Sequence, residues 1–147
     1  MKLVANRKSQ ALSLLEVMVA FGVLSVALLG VIALFTNGLR LMSHSKQLTA
    51  ATEVGRQVLE SVKTAGYSSI PSTDIVFDGR GATPDPQILG PPDFPPRPYP
   101  TEVVDGGNYE VVVRVTTPPA SPTLRAVEVE VYYARGGSSV LQTLFHP

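Results

Sequence analysis

Glu16 is the only charged residue in an apolar run of 24, residues 12–35. A carboxylate inside such a segment costs about 2.5 kcal/mol or more in lipid, so its default reading is a functional site with a partner. Other groups that could do chemistry are weaker candidates. His44 and His146 lack metal-ligand spacing, and without cysteine neither a thiolate site nor a disulfide can form. Asp74, Asp78, Asp85 and Asp93 are too widely spaced for a calcium loop and read as solvated loop acids. Ser13 has no histidine near it in sequence, and no Gly-rich phosphate loop follows a strand. The chain does not read as an enzyme, and neither a cofactor nor a metal is implied. Charge also argues against a strongly basic nucleic-acid binder: residues 1–11 carry +3 and the remainder −3.

The element that must position Glu16 is long enough to cross a bilayer, which takes ~20 apolar residues. Lys2, Arg7 and Lys8 precede it, and the next base is Arg40. That asymmetry puts the N-terminus on the cytoplasmic side. A secretory signal has its small-residue cleavage site after the apolar stretch. Here the small residue, Ala11, comes before it, so a cut at Ala11–Leu12 leaves the apolar segment in the mature chain.

Arg7-Lys8-Ser9-Gln10-Ala11 followed by Leu12-Ser13-Leu14-Leu15-Glu16-Val17 resembles the N-terminus of type IV prepilins and pseudopilins. The resemblance implies cleavage after Ala11 by a prepilin peptidase, where the family usually has Gly, and N-methylation of Leu12. It also implies that Glu16 pairs with the amino terminus of Leu12 on a neighbouring subunit during assembly. Methylation keeps that terminus cationic, so the pairing survives it. Major pilins commonly carry a proline in the middle of this segment; residues 12–35 have none, which fits minor pilins and secretion pseudopilins better.

Beyond the span the helix is expected to continue. Leu41, Leu48, Ala51, Gly55, Val58 and Val62 recur at helical spacing, and Gly66 supplies a stop before Pro71. A helix over residues 12–65 would be roughly 80 Å long. Nine of the thirty residues 71–100 are proline, which predicts an extended loop with one short edge strand at 73–77. That loop reads either as a partner contact or as a variable connector. Residues 109–116, 127–133 and 139–145 alternate as strands, with Val127, Val129 and Val131 on one face and Glu128 and Glu130 on the other. Gly136-Gly137 marks a hairpin. One face of that meander needs a cover, and the helix stripe is the large apolar surface available.

The expected architecture is α+β and pilin-like: a long N-terminal helix, transmembrane in its first half, packed against a small antiparallel sheet. Its parts are a leader (1–11), a membrane and assembly half-helix (12–38), an amphipathic half-helix (39–66), a Pro-rich loop (67–105) and a β-meander (106–147). The resemblance implies a minor pilin or pseudopilin of the inner membrane, with the C-terminal part periplasmic, which then enters a pilus or pseudopilus. Its expected partners are other pilins, the prepilin peptidase, the inner-membrane assembly platform and membrane lipid; nothing in the sequence singles out a nucleic acid. The alternative is a single-pass anchored periplasmic binding or adaptor protein that does not polymerise.

Overall fold

The computed structural model describes residues 13–88, 93–134 and 136–147. One helix, α1 (Leu14–Ala65), is followed by a short 3-10 turn at Tyr67–Ser69 and five strands. These are β1 (Ile75–Asp78), β2 (Thr101–Val104), β3 (Gly107–Thr116), β4 (Arg125–Tyr133) and β5 (Gly137–Phe145). The chain divides into two compact units, Met1–Met42 and Ser43–Pro147.

In the first unit α1 is exposed along almost its whole length, Gly38 alone being half-buried among its described residues. An 18-residue window of α1 reaches a mean hydropathy of 2.7 with none of it buried. By length and composition this segment can cross a membrane.

In the second unit the rest of α1 covers one face of an antiparallel sheet. Ala51, Val54, Gly55, Val58 and Val62 are its buried residues, spaced as one helical stripe. They pack with Val111, Val113, Val115, Val127, Val129 and Val131, all fully buried. The expected α+β arrangement is therefore the observed one, and the alternating valines of β4 face the helix. Helix and sheet lie close together at Gly55, where a Cβ would stand 2.8 Å from Leu141 Cδ1 and 3.3 Å from Val131 Cγ2.

The sheet is larger than the expected three-stranded meander. Strands β3, β4 and β5 form that meander, and β1 and β2 both pair with β3 along its other edge. β1 takes Val112–Val115 of that edge and β2 takes Gly107–Glu110. At the seam, Val111 N–H donates to Pro100 O and Gly79 N–H donates to Val111 O, both at 2.9 Å. A Cβ on Gly79 would lie 2.6 Å from Pro100 O, so only glycine fits there. β2 turns into β3 through Asp105-Gly106, with φ of 50° and 75°, the positive angles that a tight two-residue hairpin requires.

Between β1 and β2 the Pro-rich segment is tied down. Phe94 and Tyr99 are buried and meet Phe77 edge-on at centroid distances of 5.6 and 6.3 Å. Gln87 Nε2 donates to Pro95 O, and Tyr99 Oη donates to Asp85 O at 2.5 Å. Burial, followed by the charges of Asp85 and Asp78, pushes the Tyr99 phenol up to about 12. Phe94 and Tyr99 thereby belong to the core.

Candidate functional site

Ser13 opens α1. Its Oγ accepts a hydrogen bond from Glu16 N–H at 3.2 Å, and its carbonyl accepts from the N–H groups of Glu16 and Val17. This is the backbone half of a capping box, in which a serine satisfies the third helical N–H and a Glu stands three residues on. Ser13 is thus a helix cap. A carboxylate in the first turn is also favoured by the helix dipole, so Glu16 suits its position before any partner arrives. Glu16 is exposed, as are its apolar neighbours Leu14, Leu15, Val17 and Met18. Ala11 and Leu12, read above as the processing junction and the assembly terminus, lie outside the described residues, as does the rest of the leader. So do residues 89–92, including Pro91-Pro92.

The remaining candidates have structural duties. Asp74 Oδ1 accepts from Thr117 N–H at 2.8 Å, and Asp85 Oδ2 accepts from Asp78 N–H at 3.0 Å. Arg80 donates through two nitrogens to Asp78, at 2.8 and 2.6 Å, and its guanidinium lies 4.7 Å from the centre of the Tyr132 ring. The hydrogen bond from Arg80 outweighs partial burial and holds the Asp78 carboxyl down at about 2. Asp74 and Asp85 are exposed, as read from the sequence, and all three acids also tie down nearby groups. His44 packs against Tyr133 at 6.0 Å between ring centroids. Among the described residues no group of three or more His, Cys, Asp or Glu is placed to hold a metal.

A second polar assembly lies on the sheet face turned away from α1. Arg114 Nη1 donates to Glu128 Oε1 and Glu130 Oε2, both at 2.8 Å. Burial works against ionisation of Glu130, but hydrogen bonds from Arg114, Tyr132 and Ser138 prevail and lower its pKa. The outward acids of β4 are therefore paired across to β3 rather than left to solvent. The sequence signal was present: Arg114 is the one base in a valine-rich strand, in register with Glu128.

Residues 6–32 match the family model described as the prokaryotic N-terminal methylation motif. The match spans Ala11, Leu12, Ser13 and Glu16 together with most of the apolar run. No curated protein and no solved structure matches the chain. Motif and fold together are those expected of a type IV pilin-like protein: a methylation motif on a long N-terminal helix, and a small antiparallel sheet packed on that helix. The motif supports prepilin-type processing, membrane anchoring through the apolar helix and association with pilins in general.

Proposed function

We propose that the chain is a minor pilin-like subunit that inserts in the inner membrane with its N-terminus cytoplasmic. Prepilin peptidase cleaves it between Ala11 and Leu12 and methylates Leu12. The mature subunit then enters, or primes, a type IV pilus or a secretion pseudopilus through the inner-membrane assembly platform. The observation that carries this reading is the lone Glu16, exposed in the first turn of an uncovered apolar helix and inside a methylation motif. In lipid that carboxylate needs a cation. The amino group of Leu12 on a neighbouring subunit supplies one and sets the axial register between helices. The absence of proline from residues 12–35 supports a minor rather than a major subunit.

Glu16→Ala at native expression tests the reading. The variant makes the span more apolar, so insertion and cleavage continue. Pilus number or secretion falls, because the subunit no longer pairs. Intact-mass spectrometry of membrane fractions shows a chain beginning at N-methyl-Leu12. Normal piliation and secretion with Glu16→Ala would instead favour an anchored adaptor that does not polymerise.

A further inference from the structure

Among the described residues, the unit Ser43–Pro147 carries one long unpaired sheet edge. β5 ends the strand order and has nine residues with no charge and no proline. Such an edge is a template for another strand, and proteins normally blunt it with charges or prolines. At the other side of the sheet, β2 pairs only with β3 among the described residues. Its Val103 is 68% exposed.

The register sorts side chains by face. Glu102 lies opposite Tyr109, a core residue, and so points to the helix side, while Val103 points away. On β5, Val140 and Leu144 lie opposite Glu130 and Ala126 and share that outer face, 55% and 58% exposed. Charge is divided in the same direction. The groove beside the C-terminal end of β5 is bordered by Lys63 and His146 and by no acid. Thr52, whose Oγ1 lies 3.1 Å from Ser139 Oγ, sits on the same flank, and Arg56, one turn further on, is paired with Glu60 at 2.9 Å. With Glu60 held by Arg56, the grooves beside β2 are bordered by Glu53, Glu102 and Asp105 against Lys46 and Arg97, an excess of one acid.

Strand direction decides how two copies fit. β2 runs antiparallel to β5, since each step from β2 through β3 and β4 to β5 reverses direction. A second copy set beside the first in the same orientation brings its β2 antiparallel to β5, with both helices pointing the same way. Pairing β5 with β5 about a two-fold axis would reverse one helix. We infer that β5, with Lys63 on the helix flank beside it, forms a docking edge for β2 of a second copy of this chain. Val103 of one copy lies against Val140 or Leu144 of the next, and its Glu102 faces the Lys63 flank. The contact is head-to-tail and deepens the proposed subunit role, on which its shared membrane orientation rests.

The chain has no cysteine, so the full-length protein can be tested in cells by disulfide cross-linking. Two differently tagged copies are expressed together, one Val103→Cys and the other Val140→Cys or Leu144→Cys, and oxidised. Paired strands hold opposite Cα atoms about 4.5–5.5 Å apart, within disulfide reach. A cross-link between tags is expected with at least one pair and with neither cysteine alone. Lys63→Glu lowers the yield about two- to fivefold, the scale of one exposed ion pair, and Glu102→Lys on the other copy restores it. A Val140–Val140 cross-link, or none with either pair in cells that process the protein, overturns the contact. Unchanged pilus number or secretion in those same cells would leave the subunit role standing. Cross-linking that persists where Glu16→Ala has no effect would keep the contact and remove that role.

Discussion

Arg114 and Glu130, sixteen residues apart, meet at 2.8 Å on the sheet face turned away from the helix, with Glu128 taking the same Arg114 nitrogen. Val129 stands between the two acids in sequence and is fully buried on the other face. The two sides of β4 therefore respond differently to charge. Val129→Asp buries an unpaired carboxylate and should destabilise Ser43–Pro147 by about 3–5 kcal/mol. Glu128→Lys sets a cation beside Arg114 and should cost about 1 kcal/mol, a small effect but not zero, because Glu130 still holds Arg114. Urea melts of a fragment beginning at Ser43 compare the two. Equal shifts would mean that the faces are wrongly assigned.

At Gly55 the helix leaves no open space against the sheet. Valine there must displace Leu141 and Val131, and overpacking of this kind costs about 1–3 kcal/mol. Alanine needs Leu141 to swing away and Val131 to give by a few tenths of an ångström, and its helix propensity, better by about 1 kcal/mol, offsets that. Gly55→Ala should melt near wild type and Gly55→Val well below it. Thermal melts of both variants, showing equal stability, would contradict the close approach.

Phe94 anchors the Pro-rich segment. Phe94→Ala leaves a cavity beside Phe77 and should cost about 3–4 kcal/mol. It should also speed limited proteolysis between β1 and β2. Tyr99→Phe removes one hydrogen bond to Asp85 O while keeping the ring, and should cost about 1 kcal/mol. If the segment is only a connector, proteolysis of Phe94→Ala will match wild type.

Acid should weaken the second unit through Asp78. Its folded pKa of about 2 lies below its ordinary value of 3.8, so the unfolded chain takes up the proton first as pH falls. The stabilisation is complete above the ordinary value and lost between about 3.8 and 2. Glu130, also lowered, acts in the same direction. Denaturation curves from pH 6 to pH 2 should show a shallower loss for Asp78→Asn than for wild type. An identical acid slope in the two would remove Asp78 as a contributor.

What could be read from residues alone was local. Hydropathy marked the exposed half of α1, because a run of 24 apolar residues with one Glu needs no tertiary contact to declare itself. The stripe from Ala51 to Val62 and the valine alternation of β4 likewise follow from helix and strand periods. The methylation motif over residues 6–32 is contiguous and legible for the same reason.

Tertiary structure decided what depends on residues far apart in sequence. Prolines in 71–100 concealed that Phe94 and Tyr99 belong to the core, since their burial comes from Phe77 and not from any periodicity nearby. β2 has only four residues, too few for its alternation to register, although Asp105-Gly106 was a usable turn signal. The division of one β3 edge between β1 and β2 rests on two hydrogen bonds at Val111 and on a glycine with no room for a side chain. Strand pairing sets which residues lie opposite one another. That is why Arg114, Glu128 and Glu130 became a network only once β3 and β4 were in register.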